Sequence, residues 1–197
     1  YQNFVFLLPG MNILFFPNKY VSHTLIAICI IVSVIGFVHA PFRYLYAFHW
    51  NALSYGVFDF LMQSVLFQFL HGNLLHLFAN SYFLYSAGPA LEARMSRHQF
   101  LYFFASTTIF LVVALLIFSA PGTITIGISG FCGALLAYLC VDLYTIRHPQ
   151  AQETLILLVI NIVIGLFAGI SFVGHFFGAV WGVIWWFSLS KSGRFQK

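Results

Sequence analysis

Six apolar segments alternate with shorter, more polar stretches along most of this chain. A run of about 20 apolar residues is long enough to cross the hydrocarbon core of a bilayer as a helix. Residues that stop helices follow several of the segments, as Pro41 and Pro149 do after the first and the fourth. We therefore predict an all-α fold of transmembrane helices. The predicted helices cover residues 22–40, 65–92, 100–118, 128–146, 154–167 and 173–189.

The stretches outside these helices are expected at the membrane surface or in water. Residues 41–63 mix aromatic and charged side chains, which is too polar for a span and too aromatic for free solvent. We expect this stretch to form a long loop in the membrane interface. Residues 1–21 are predicted to form an interfacial N-terminal segment, 22–190 the six-helix domain, and 191–197 a basic tail.

The composition supports a protein embedded in lipid. Of the 197 residues, 61% are hydrophobic and only 6% are charged. A soluble domain carries about 25% charged residues, so this chain has too few to cover a surface in water. The net charge of +4 is therefore interpreted as a topology signal and not as a sign of nucleic-acid binding.

The basic residues predict the orientation of the helices. Cytoplasmic loops of membrane proteins carry an excess of Lys and Arg. With six spans, Arg43 alone falls on one side of the membrane and the other seven basic residues on the opposite side. We therefore expect both termini in the cytoplasm. The seven residues are Lys19, Arg94, Arg97, Arg147, Lys191, Arg194 and Lys197.

The most polar residues of three predicted helices fall at one depth, near the outer face. Polar residues inside a membrane are costly and usually face a bundle interior or a water-filled cavity. Convergence from separate helices therefore indicates a functional site better than any single residue does. The residues are His71, Asn73, His76 and Asn80 in the second helix, Ser129 in the fourth and His175 in the sixth.

Ser129 has the surroundings of a nucleophile. It lies between Gly127 and Gly130 at the start of an apolar run, where helix amides and the positive end of the helix dipole would meet an oxyanion. Small residues then let two helices approach closely. Stripes at Gly174, Gly178 and Gly182 and at Ser129, Gly133 and Ala137 are expected to pack the sixth helix on the fourth and bring Ser129 near His175.

Taken in order, these residues resemble the motifs of the rhomboid family of intramembrane serine proteases. The resemblance covers residues 65–190 and implies a six-helix fold with a Ser–His dyad in a water-filled cavity open to the outside. It also implies cleavage of transmembrane protein substrates that enter from the bilayer. We expect a protein of the bacterial inner membrane whose site faces the periplasm or exterior. The motifs are His71-x4-His76-x3-Asn80, Glu92-Ala93-Arg94, Gly127-Ile128-Ser129-Gly130 and His175-x2-Gly178-x3-Gly182.

The resemblance also implies roles for individual residues. His175 is the base for Ser129, and the Ser129 amide with His76 and Asn80 stabilises the oxyanion. The resemblance places His71, Gly127 and Gly130 next to these groups, where they do not react themselves. No third carboxylate is expected, because Asp142 lies roughly 20 Å deeper along the helix, at the cytoplasmic edge near Arg147. No metal or other cofactor is expected.

Two positions depart from the family pattern. Met62-Gln63 stand where many members carry Trp-Arg, and Gly133 stands where members tend to have an aromatic ring stacked on the catalytic histidine. His175 then needs another support, for which Phe131 and Tyr138 are the candidates.

Two other functions stay open at this point. A metal or haem protein could use His71, His76 and His175, although the His71–His76 spacing faces one metal poorly and no HExxH motif is present. A catalytically inactive relative could bind transmembrane helices without cleaving them. Metal analysis separates the first alternative from a protease, and a fluorophosphonate probe separates the second.

Overall fold

The computed structural model describes residues 20–167 and 171–191, and helices make up most of them. Two 3₁₀ segments, Ala52–Tyr55 and Phe67–Phe69, and two short strands, β1 (Phe48–His49) and β2 (Ile124–Thr125), connect the helices. The helices are α1 (Val21–Val38), α2 (Ala40–Tyr46), α3 (Val57–Leu66), α4 (Leu74–Glu92), α5 (Arg97–Phe118), α6 (Ser129–Thr145), α7 (Ala151–Ile164) and α8 (Phe172–Lys191).

Three of the described helices are long and apolar enough to cross a membrane by length and composition: α1, α5 and α8. Helices α6 and α7 are apolar but shorter. The all-α membrane fold agrees with the sequence prediction, and five of the predicted spans match observed helices closely. The number of spans and the cytoplasmic location of the termini stay predictions, and residues 1–19 and 192–197 lie outside the described residues.

The second predicted span, 65–92, was wrong at its start. Helix α4 begins only at Leu74, because the side chain of Asn73 accepts a hydrogen bond from the His76 amide at 2.8 Å and caps the helix. The backbone of Asn73 is extended. His71 and Asn73 therefore precede the helix and do not lie on its face.

The stretch 41–63 is more ordered than a loop. It contains most of α2, the 3₁₀ segment Ala52–Tyr55 and much of α3. Strand β1 within it pairs antiparallel with β2, so that Phe48 lies opposite Thr125 and His49 opposite Ile124. This pairing anchors the segment that leads into α6. The location of the stretch at the membrane interface stays a prediction.

Helix α6 lies at the centre of the bundle. Every residue from Gly130 to Cys140 is buried, although Ser129 before them is only half-buried. Its aromatic side chains pack against α5, where Phe131 contacts Phe100, Phe103 and Phe104, and Tyr138 contacts Phe103. A buried central helix fixes the position of its own first turn, which carries Ser129.

Polar side chains tie the helices together at the end of the bundle remote from Ser129. Asp142 pairs with Arg94 at 2.9 Å and accepts a hydrogen bond from the Trp186 indole at 3.3 Å. The observed charge partner of Asp142 is thus Arg94, and the expected position of Asp142 near Arg147 at the cytoplasmic edge stays a prediction. Glu92 accepts hydrogen bonds from the first amides of α1, which satisfies donors that a helix start leaves free.

Candidate active site

The loop before Ser129 lies against the first turns of α4. Gly127 has a φ of +111°, a conformation that favours glycine, and its amide donates to the Phe67 carbonyl at 2.8 Å. A Cβ atom at Gly127 would lie 2.7 Å from Cε1 of His76 and 3.8 Å from Nδ2 of Asn80. The loop therefore places the start of α6 beside both side chains, and only glycine fits there.

Ser129 is the first residue of α6. Its hydroxyl makes no hydrogen bond with any residue in the described ranges, and no side chain caps the helix at Ile128. The first amides of a helix have no partner inside the helix and carry its partial positive charge. The serine hydroxyl therefore lies at an uncapped, electropositive helix end.

Helices α6 and α8 pack backbone to backbone next to the site and for at least one further helical turn. A methyl group on Gly178 would overlap the Gly130 carbonyl, and one on Gly182 would overlap the Ala134 carbonyl. A Cβ on Gly130 would lie 3.1 Å from the carbonyl oxygen of Gly174. Ser129 directly precedes Gly130, and His175 directly follows Gly174. The contact between these two glycines therefore lies beside both proposed reacting residues. No hydrogen bond joins the side chains of Ser129 and His175 in the part of the chain that the structure describes.

The contact face of α6 differs from the predicted one. Of the α8 residues Gly174, Gly178 and Gly182, the last two lie against α6, where their partner surface is Gly130 and Ala134. The predicted stripe of Ser129, Gly133 and Ala137 is displaced by one residue, or about 100° around the helix. Gly133 still lies beside α8, because a Cβ there would be 3.3 Å from the carbonyl oxygen of His175.

His175 is buried and held by the main chain of α7. Its Nδ1 lies 2.5 Å from the carbonyl oxygen of Asn161. A carbonyl oxygen can only accept a hydrogen bond, so Nδ1 carries the hydrogen. In the neutral ring Nε2 then has a free lone pair, and it forms no hydrogen bond within the described residues. This is the tautomer that a general base acting through Nε2 requires.

Besides Ser33 of α1, which contacts His71, the residue of this site that the sequence analysis missed is Asn161. It is the only polar side chain in the apolar stretch 155–164 of α7, and that isolation was the available signal. The alternative supports for His175, Phe131 and Tyr138, were wrong. Their observed ring contacts are with the aromatic side chains of α5.

The two histidines before and within α4 lie next to each other. The ring centroids of His71 and His76 are 4.9 Å apart. His71 is fully buried, with Nδ1 2.9 Å from the hydroxyl of Ser33, which itself donates to the Phe69 carbonyl at 3.0 Å. His71 therefore lies between α1 and the ring of His76.

Asn80 provides a free donor next to the Gly127 loop. Its Nδ2 is buried and has no hydrogen-bond partner among the described residues. Burying an amide donor without a partner is unfavourable, so a group with this arrangement usually awaits a ligand or a water molecule. The donor lies on the same side as the loop that carries Ser129.

The unusual Met62-Gln63 pair has a structural explanation at Gln63. This side chain is fully buried, and its Oε1 accepts a hydrogen bond from the His49 amide at 3.2 Å. His49 belongs to β1, which pairs with β2 ahead of Ser129. Gln63 therefore supports the strand pairing that positions the Gly127 loop.

The site residues form one cluster of hydroxyl, imidazole and amide groups, made up of Ser33, His71, His76, Asn80, Ser129, Asn161 and His175. Over residues 20–167 and 171–191, no group of three or more His, Cys, Asp or Glu side chains is arranged to hold a metal ion. The cluster combines a serine, a histidine whose Nδ1 is bonded to a main-chain carbonyl, and an unsatisfied amide donor. These are the parts needed for acyl transfer.

Comparison with known proteins identifies the family. A family model described as Rhomboid domain matches residues 59–192, which is more than half of the chain. Comparison with curated protein sequences gives no match. The match includes α4, α6 and α8 and all the residues of the cluster except Ser33. The chain therefore belongs to the rhomboid family.

Proposed function

We propose that this protein is an intramembrane serine endopeptidase in which Ser129 is the nucleophile and His175 the general base. The observation that carries the proposal is the pairing of His175 Nδ1 with the Asn161 carbonyl, which leaves Nε2 free on the helix that packs against Gly130. Members of the rhomboid family are generally proteases of this kind, and membership is consistent with the proposal.

The proposed reaction is acyl transfer in two steps. As the Ser129 oxygen attacks a peptide carbonyl, Nε2 of His175 takes its proton and then delivers that proton to the leaving amine. Water, deprotonated by the same nitrogen, hydrolyses the acyl-enzyme and restores the serine. The proposed reaction uses no carboxylate. Asp142 is paired with Arg94 at the other end of α6 and is given no part in it.

The oxyanion that forms in each step is assigned to three donors. They are the amide of Ser129 at the uncapped start of α6, the imidazole of His76 and the free Nδ2 of Asn80. Donors fixed in place before the reaction stabilise developing charge without reorganisation. Gly127 and Gly130 permit this arrangement because the site has no room for a Cβ at either position.

The proposed substrates are transmembrane segments of other proteins, cleaved near the outer membrane face. This proposal rests on the predicted six-span topology with cytoplasmic termini, in which the start of α6 would lie in the outer half of the bilayer. A bacterial inner-membrane location with a site facing the periplasm or exterior belongs to the same proposal.

One observation favours a second candidate function, an inactive relative that binds transmembrane helices. The Ser129 hydroxyl and the His175 ring form no hydrogen bond in the described residues. Catalytic hydrogen bonds are often long without substrate and shorten when it binds, so this geometry does not exclude a protease.

Cleavage of a generic transmembrane substrate by the purified protein in liposomes tests the proposal. We expect two products from the wild-type protein and none from Ser129→Ala. If the wild-type protein binds the substrate and leaves it intact, the inactive candidate is correct. Equal cleavage by Ser129→Ala would mean that another group or a contaminating protease performs the reaction.

A further inference from the structure

The carboxyl end of α7 contains a main-chain carbonyl that would be hydrogen-bonded within a regular α-helix. In a regular helix the Asn161 carbonyl would accept from the amide of Gly165, four residues later. That amide donates instead to the Ile162 carbonyl at 3.0 Å. The amides of Leu166 and Phe167 likewise donate to the carbonyls three residues before them, at 3.0 and 3.1 Å. The 3₁₀ ending thus satisfies residues 162–164 and leaves the carbonyl of Asn161 to His175.

The side chain of Asn161 occupies the space beside Gly133. A Cβ atom at Gly133 would lie 3.1 Å from Oδ1 of Asn161, which is buried and has no hydrogen-bond partner among the described residues. The carboxamide and the backbone of α6 are therefore in direct contact. This contact holds the main chain at Asn161 at a fixed distance from the helix that carries Ser129.

No acidic side chain is available for the same task. The chain has four acidic residues, of which Asp142 pairs with Arg94 and Glu92 caps α1. Glu153 lies in the first turn of α7, at the opposite end from Asn161, and Asp59 lies in the first turn of α3. Whatever orients the imidazole of His175 must therefore be an uncharged group.

We propose that the carboxyl end of α7, through the main-chain carbonyl of Asn161, is the positioning group of His175. In Ser–His–Asp proteases a carboxylate fixes the histidine tautomer and stabilises the imidazolium. Here the carbonyl fixes the tautomer, and the negative end of the α7 dipole favours the imidazolium that forms during the reaction. The inference rests on the proposed protease function and assigns α7 a part in it.

An amide-to-ester substitution tests the carbonyl without changing any side chain. Incorporating the α-hydroxy analogue of isoleucine at position 162 turns the Asn161 carbonyl into a weaker ester acceptor. The same substitution at position 160 is a matched control, because Ile160 and Ile162 are both isoleucines in α7 and each ester removes one helical amide hydrogen. We measure kcat and KM for a transmembrane substrate, the rate of fluorophosphonate labelling, and thermal stability.

We expect the ester at position 162 to lower kcat and the labelling rate about tenfold with KM unchanged, since hydrogen bonds to charged groups are the stronger ones. The ester at 160 should stay within twofold of wild type at a similar melting temperature. Equal losses in both esters would overturn the inference, because they would report only a weakened helix. Wild-type rates at 162, with Ser129→Ala inactive, would overturn it and leave the protease function standing. A wild-type protein that neither cleaves nor labels would refute both.

Discussion

Gly178 of α8 lies against the main-chain carbonyl of Gly130 in α6, so that the two helices touch without side chains between them. Gly130 follows Ser129 directly, and Gly178 lies one helical turn after His175. The spacing between the proposed nucleophile and base is therefore set by two glycine residues.

Changing Gly178 to valine should separate the two helices and stop the reaction. The added side chain has no space against Gly130, and overpacking typically costs about 1–3 kcal/mol of stability. A shift near 1 Å in a reacting group can lower a rate about 100-fold. We expect Gly178→Val to lose at least that much activity and to melt at a lower temperature. Ile184→Phe, on the exposed side of α8, is the control and should retain activity.

Changing Gly133 to alanine should lower kcat without unfolding the protein. The new methyl group would lie 3.1 Å from Oδ1 of Asn161 and 3.3 Å from the carbonyl oxygen of His175, so both must move by a few tenths of an ångström. We expect a loss of about tenfold, partly recovered in the double variant with Asn161→Ala. Gly72→Ala is the matched control, since its nearest neighbour would be at 3.8 Å. No recovery in the double variant would contradict the assigned contact.

Removing the free amide of Asn80 should weaken transition-state binding more than substrate binding. Loss of one oxyanion donor costs about 10²–10³ in kcat. Asn80→Ala should therefore lower kcat by that factor with a small change in KM, as measured by initial rates over a range of substrate concentrations. Gln152→Ala, on the exposed surface of α7, is the control. A change confined to KM would assign Asn80 to substrate binding instead.

Changing Asp142 to asparagine should affect stability and leave the chemistry intact. Arg94 loses its ion pair, and Trp186 keeps an acceptor in the amide oxygen. Because Arg94 is partly exposed, we expect a loss of only about 1 kcal/mol in unfolding free energy. Cleavage below the melting temperature should match wild type. Complete inactivity of a folded Asp142→Asn protein would mean that this carboxylate takes part in catalysis.

The sequence predicted a convergence of α4, α6 and α8 for an energetic reason. Polar residues inside a membrane usually face a bundle interior or a water-filled cavity, so the expected common depth of His76, Ser129 and His175 implied a common site. The structure places His76 against Gly127, in the loop that leads to Ser129. The membrane thus restricts the possible packings more than water would.

Local features of the site could not be predicted from the pattern of apolar residues. The break before α4 depends on one cap at Asn73, and the periodicity of apolar residues does not register a single capping side chain. Small residues occur on two faces of α6, and only contact with α8 selects Gly130 and Ala134. The support of His175 is a main-chain carbonyl, which every residue has, so no side-chain pattern identified it.

The central claim is that His175 activates Ser129, and fluorophosphonate labelling followed by mass spectrometry tests it most directly. The probe reacts with an activated serine and requires no knowledge of the substrate. We predict that one adduct forms on wild-type protein, on the peptide that contains Ser129, and that His175→Ala and Ser129→Ala remain unlabelled while keeping wild-type helix content. Labelling of His175→Ala at the wild-type rate, or an adduct on any other serine, would contradict the account.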